Sequence, residues 1–266
     1  MNKAGIRHAG KKFVAAMLTI SLIFLIIPAG NAGAANSTNK KAGKAYAKII
    51  SRYLETYKTV KKNASSIDVK ERPNGDYGFY YNGKWLDGVN YWFIDAVQYG
   101  FTMEEPSDRY TAKVVYKIMD FNKDGTPELF IGLSPECLIY DVYTFDKGKP
   151  VQLMEGLGSR DASCTLCKNG IIANISSWSA SSSKTTYHKI ARSKRLTDII
   201  ALGQENGHYT KTENEKTTVI NKKEYDRLER KYYNPLKITF YQADAKAIKN
   251  IKQGKFSYKN QKSWKN

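Results

Sequence analysis

The run Asp120-Phe121-Asn122-Lys123-Asp124-Gly125-Thr126-Pro127-Glu128 joins two β-branched stretches, Thr111–Met119 and Leu129–Leu133. Before it, Val114, Tyr116 and Ile118 alternate with Lys113 and Lys117, the period of two that a half-buried strand requires. The run is therefore a strand-loop-strand connection rather than the loop of a helix-loop-helix hand, and its flanks set the chain on a course of antiparallel strands. Its oxygens are spaced as a hard cation such as calcium takes them, with Asp120, Asn122 and Asp124 in alternation, Gly125 next, and Thr126 and Glu128 beyond.

A tight loop turns Asp120, Asn122 and Asp124 inward while Phe121 and Lys123 point away. Gly125 supplies the positive φ of such a turn. Thr126 precedes Pro127, which biases it toward an extended conformation and frees its carbonyl to face an ion. The bidentate Glu that ends an EF-hand loop is missing, Ile131 standing in its place, so Glu128, water or a distant residue has to close the set. The candidate metal ligands are Asp120, Asn122, Asp124, Thr126 and Glu128, and the expected ion is Ca2+ as a structural clip. With so few side-chain ligands its affinity belongs to the extracellular class, with a Kd of about 10⁻⁴ to 10⁻³ M. The competing reading is a metal-free turn, because Asp, Asn and Gly are also what turns use.

Outward from the loop, Leu138–Phe145 and Val151–Met154 flank the turn Asp146-Lys147-Gly148, and Ser163–Cys167 and Ile171–Ile175 flank Asn169-Gly170. Upstream, Tyr77, Phe79 and Tyr81 alternate into Asn82-Gly83 and return through Lys84-Trp85-Leu86, the signature of a type I′ hairpin. Ser176–Ser183 reads as a polar loop, Thr185–Ile190 as a strand and Leu236–Tyr241 as a closing strand. Helical spacing places Tyr46, Ile49, Ile50, Tyr53, Leu54, Tyr57 and Val60 on one stripe, with Lys44, Lys48, Arg52 and Lys58 outside it. Tyr91–Phe101 reads as helix, and Asn221 followed by Glu224 caps a helix over 222–232 that Asn234-Pro235 stops. The expected fold class is α+β: an antiparallel β-meander sheet with the N-terminal amphipathic helix and the 222–232 helix packed on it.

The ends carry the address. Lys3, Arg7, Lys11 and Lys12 precede an apolar run from Phe13 to Ile27, and Ala32-Gly33-Ala34 offers a small-residue cleavage site, so residues 1–34 read as a secretory signal. The apolar run is shorter than the roughly 20 residues a spanning helix needs, and no transmembrane segment is expected after cleavage. Residues 35–44 then form a flexible lead-in, 45–241 a single domain, and 242–266 a basic tail of seven Lys against one Asp. Removing the leader takes four basic residues from a net charge of +18 and leaves +14. Such a field draws polyanions, which outside a cell include anionic cell-envelope polymers.

A resemblance adds to this reading. Tyr116 through Ile131, then Ile139 through Phe145, Val151-Gln152-Leu153, Gly158-Ser159-Arg160 and Lys222-Lys223-Glu224-Tyr225 resemble a family of uncharacterised secreted domains of low-GC Gram-positive bacteria with a D-x-[DN]-x-[DN]-G-x-x-E-L core. The likeness covers Val114 to Phe240 and implies an extracellular α+β domain and no enzyme. Trp178 departs from that layout.

Other constellations carry less. Cys164 and Cys167 are three apart in a strand and so face opposite sides, whereas Cys137 is free to pair with either in an oxidising exterior. Zinc held by Cys137, Cys164, Cys167 and His188 matches no known spacing. Glu104-Glu105 is a carboxylate pair whose adjacent side chains diverge, and Gly156-Leu157-Gly158-Ser159-Arg160 misplaces Ser for a nucleophile elbow. After the leader His188 and His208 remain, neither in a catalytic frame. The function expected is a secreted calcium-binding extracellular module associated with the cell envelope or another polyanion. The alternative is a secreted hydrolase of an envelope polymer or nucleic acid, with His188 or His208 as base.

Overall fold

The tyrosine stripe is the buried face of helix α1 (Asn31–Asn63) in the computed structural model, which describes residues 31–102, 111–154 and 162–265. The leader up to residue 30, Glu104-Glu105 and Gly156–Arg160 lie outside those residues. The chain divides into a short unit ending at Ser37 and a main unit from Thr38 onward, which holds the sheets. Among the described residues no helix is long and apolar enough to cross a membrane.

Strands β1 (Asp68–Glu71), β2 (Tyr77–Tyr81) and β3 (Lys84–Trp85) form a small antiparallel sheet. Asn82 and Gly83 both take positive φ between β2 and β3, as the type I′ turn requires. Helix α2 (Tyr91–Thr102) follows. Then come β4 (Val114–Met119), β5 (Glu128–Leu133), β6 (Leu138–Asp146) and β7 (Lys149–Met154) in consecutive antiparallel pairs.

The next six strands are β8 (Ala162–Cys167), β9 (Ile171–Ser179), β10 (Ser182–Ile190), β11 (Leu196–Glu205), β12 (His208–Glu213) and β13 (Lys216–Ile220). They make a second meander, ordered as in the chain. Helix α3 (Lys222–Tyr232), strand β14 (Thr239–Gln242), helix α4 (Ala245–Lys252) and strand β15 (Ser263–Lys265) complete the fold. β14 returns to the first large sheet beside β4, giving the order β15-β14-β4-β5-β6-β7.

The α+β class with antiparallel sheets holds, but the single meander becomes two six-stranded sheets and a three-stranded one. One face of the first large sheet, through Val114, Tyr116, Ile118, Leu129 and Ile131, packs on the α1 stripe of Tyr46, Ile50, Tyr53, Tyr57 and Val60. Its other face, with Val115, Phe130 and Val142, meets Leu166, Ile172 and Ile190 of the second sheet. β5 is buried along its whole length, which accounts for its unbroken apolar run. The opposite face of the second sheet, with Ala173, Tyr187, Ile200 and Leu202, packs on Tyr225 and Leu228 of α3. Asn221 caps α3 as expected, its side chain accepting from the Glu224 amide at 2.9 Å.

Four expectations are corrected. The lead-in is helical, and Ala42 within it is fully buried. Ser176–Ser183 is not a loop: β9 and β10 pair through it and leave Ala180 and Ser181 as the turn. Serine side chains do not prevent a sheet, because main-chain groups form the ladder, and residues 178–181 at the tip of this hairpin are exposed. Residues 191–220, unassigned from sequence, supply β11 to β13. The basic tail belongs to the fold, with Ala243, Ala247 and Ile251 in the α1 core and β15 paired to β14. Its lysines 246, 249 and 252 stand on the exposed side of α4, so a run of charge concealed a helical period. Gly43 of α1 is needed there, since a Cβ would overlap the Ile251 carbonyl.

Truncating a fully buried branched side chain typically costs about 2–4 kcal/mol. Ile251→Ala is expected to lower the urea midpoint of the whole domain accordingly, and an unchanged midpoint would return the tail to the solvent.

Candidate metal centre

The loop between β4 and β5 winds around its own carboxylates. Asp120 accepts the amides of Asp124 and Gly125, one on each oxygen, at 3.0 Å. Asn122 accepts the Asp124 amide at 3.2 Å and donates through Nδ2 to Asp124 Oδ2 at 2.9 Å. Asp124 Oδ1 in turn accepts the Thr126 amide at 2.9 Å. Lys123 and Gly125 both take positive φ, so two left-handed residues close the turn.

Glu128 lies at the floor of the loop and is fully buried. One oxygen accepts the Phe121 amide at 2.9 Å and the other the Thr144 hydroxyl at 3.0 Å. Each oxygen keeps a further lone pair. Burial pushes the Glu128 carboxyl up to about 7, against those two hydrogen bonds; the Asp124 charge adds to the rise and the Lys194 charge opposes it. The Tyr46 hydroxyl of α1 donates to the Pro127 carbonyl at 2.7 Å, so the core helix holds the far side of the loop.

A cation from elsewhere in the chain sits on this loop. The Lys194 ammonium, on the turn between β10 and β11, hydrogen-bonds Asp124 Oδ2 and reaches the Thr126 hydroxyl at 2.8 Å. The turn presents it rigidly. Lys194 has φ 57°, its amide donates to the Ala191 carbonyl at 2.9 Å, and the Ala191 amide donates to the Arg195 carbonyl at 2.8 Å. Burial works to raise the Asp124 carboxyl, but hydrogen bonds from Lys194, Asn122 and the Thr126 amide outweigh it and hold the group below its ordinary value.

The sequence-predicted residues lie along one loop: Asp120, Asn122 and Asp124 accept its amides, the Thr126 hydroxyl meets Lys194, and Glu128 is buried beneath, bonded to Phe121 and Thr144. The Lys194 ammonium meets two of these oxygens, Asp124 Oδ2 and Thr126 Oγ1. Among the described residues, no group of three or more His, Cys, Asp or Glu side chains is assembled as a metal cluster. Four residues at the site escaped the sequence reading: Lys194, Tyr46, Phe121 and Thr144. Tyr46 was legible as a helix-stripe residue, but nothing local in Ala191-Arg192-Ser193-Lys194-Arg195 points at a loop some 70 residues earlier.

The other candidates do not converge on chemistry. Cys137, Cys164 and Cys167 are free thiols. Cys164 and Cys137 border the core between the large sheets while Cys167 faces α3, which splits the zinc set. Burial pushes the Cys137 thiol up to about 11 and the Cys164 thiol up to about 12, away from thiolate reactivity. His188 Nδ1 lies 2.8 Å from Asp198 Oδ1, the contact of a base with its orienting acid. Its Nε2 is buried without a partner among the described residues. His208 is exposed at the end of the β11–β12 turn.

No family model matches the chain, and no curated protein or solved structure matches it.

Glu128 makes stability depend on pH. Its folded value lies above the ordinary 4.5, so the folded chain takes up a proton across the interval from 4.5 to about 7, and stability falls as pH rises through that window. In EDTA, Glu128→Gln is expected to flatten this part of the stability profile measured by urea unfolding. A slope equal to that of the unsubstituted chain would show that Glu128 does not carry the effect.

Proposed function

We infer that this chain is a secreted module built on a calcium-type cation clip, with a basic surface that associates with anionic polymers of the cell envelope. The observation that carries the clip is the Lys194 ammonium docked on Asp124 and Thr126. A pair of oxygens that holds an ammonium is already arranged for positive charge, and Asp120, Asn122 and Glu128 belong to the same loop and its floor. Calcium at extracellular concentration competes with Lys194 for these oxygens. When bound, it would hold β4, β5 and the loop together as a structural clip. The resemblance of Val114–Phe240 to secreted domains and the leader-like first residues support an extracellular setting, and the net charge of +14 that remains without the leader supports a polyanionic partner.

Thermal unfolding in EDTA and in millimolar calcium tests the clip. Millimolar calcium is about one- to tenfold over a Kd of about 10⁻³ to 10⁻⁴ M, which stabilises a native state by about 0.4 to 1.4 kcal/mol. The expected result is a calcium-dependent rise in Tm that is larger in Lys194→Met, where the rival cation is gone, and lost in Asp120→Ala/Asp124→Ala. Absence of any rise in both the native chain and Lys194→Met would reduce the loop to a turn. For the partner, retention on purified cell walls is expected to fall steeply with salt, and salt-insensitive retention would exclude the electrostatic reading.

A hydrolase reading is favoured by one observation, the His188–Asp198 contact. Turnover of an envelope polymer or nucleic acid that vanishes in His188→Ala would put it in first place.

A further inference from the structure

Away from the cation loop, a cleft of about 1200 Å³ opens between α1, the three-stranded sheet, α2 and the edge strand β7. Two arginines enter it from different elements. Arg52 of α1 lies across Gly88, donating to the Gly88 carbonyl at 3.3 Å. Arg72, in the connection from β1 to β2, lies across Gly78. A Cβ on either glycine would overlap the guanidinium, so the bare backbone at 78 and 88 forms two saddles that seat the arginines.

The two cations are not equivalent. Arg72 is matched by Asp87 at 2.7 Å and stacks over Trp85 at 4.7 Å. Arg52 has no carboxylate partner among the described residues and remains exposed. Between them the lining offers aromatic faces that the core does not consume. Tyr77 is 63 % exposed and Trp92 is 41 % exposed. Asn74, Asp76 and Gln152 add polar groups to the lining. Exposed rings stack on the apolar faces of pyranoses, amide and carboxylate groups bond hydroxyls, and an unmatched guanidinium takes a carboxylate in a bidentate pair.

We propose that this cleft binds an acidic oligosaccharide, with Tyr77 and Trp92 as stacking platforms and Arg52 as the receptor for a uronate carboxylate. The proposal rests on the polyanion reading above and gives it a site and a ligand class. An unassisted basic surface would hold any anionic polymer alike, whereas a cleft with stacking faces and one free guanidinium selects sugar rings that carry a charge. Arg72, neutralised by Asp87, acts as a wall of the cleft.

The test is calorimetric titration of the full chain with three probes: a galacturonate hexamer, a neutral maltohexaose and poly(glycerol phosphate). Arg52→Ala, Trp92→Ala and Tyr77→Ala alter exposed side chains and leave the core intact. The expected result is binding of the galacturonate hexamer that weakens about tenfold in Arg52→Ala and in Trp92→Ala, the loss of one well-placed charged or aromatic contact. The neutral hexamer is expected to bind more weakly and to ignore Arg52→Ala. Equal affinity for the two hexamers, or a preference for poly(glycerol phosphate), overturns the ligand class. Galacturonate binding that is unchanged in all three variants overturns the cleft and leaves the polyanion reading standing. Failure of the native chain to bind either anionic probe overturns both.

Discussion

The fold depends on one helical stripe of tyrosines. Tyr46, Tyr53 and Tyr57 bury their rings between α1 and the first large sheet, and each hydroxyl reaches a loop that the sheet cannot hold by itself. Tyr46 takes the Pro127 carbonyl, Tyr57 the Ala112 carbonyl at 2.6 Å, and the Tyr53 hydroxyl accepts the Asn90 amide at 3.2 Å. A leucine stripe would bury comparable apolar area. It would leave those main-chain groups buried without partners, at a cost of about 1–3 kcal/mol each. The tyrosines thus serve as core and as loop anchors together, and the cation loop inherits its position from the helix.

The loop balances charge across the two large sheets. Asp124 is held ionised by Lys194, Glu128 is pushed toward its neutral form by burial, and the two carboxylates lie close enough for each charge to act on the other. The lysine comes from a turn of the second sheet and the carboxylates from the first. The apolar contact between the sheets, through Phe130 and Ile172 among others, is therefore supplemented at its edge by the Lys194–Asp124 ion pair. Asn122 approaches the same edge, with its amide 3.5 Å from the Ile190 carbonyl.

Much of this was legible along the chain, because it depends on neighbours. The cap at Asn221 is a bond to the residue three ahead, and Asn82-Gly83 turns the chain by its own φ preference. The same signal at Asn206-Gly207, both at positive φ, marks the β11–β12 turn, where β12 carries Thr and Lys in place of apolar alternation and β11 an apolar run, Ile199–Leu202, without a period of two. The serine hairpin misleads for a related reason. Side-chain polarity reports which surface faces water, whereas a ladder of main-chain bonds forms irrespective of it.

By itself the sequence determined those elements and turns whose signals act over a few residues, the Asn221 cap and the Asn82-Gly83 turn among them. What the tertiary structure decided is what meets those elements. Division of the strands into two large sheets, incorporation of the lysine-rich tail into the α1 core, arrival of Lys194 at Asp124, and seating of Arg52 across Gly88 all join residues distant in the chain. Such contacts arise from burial and close packing of the whole chain, which favour a contact by the area and fit it completes and leave no mark at either residue alone.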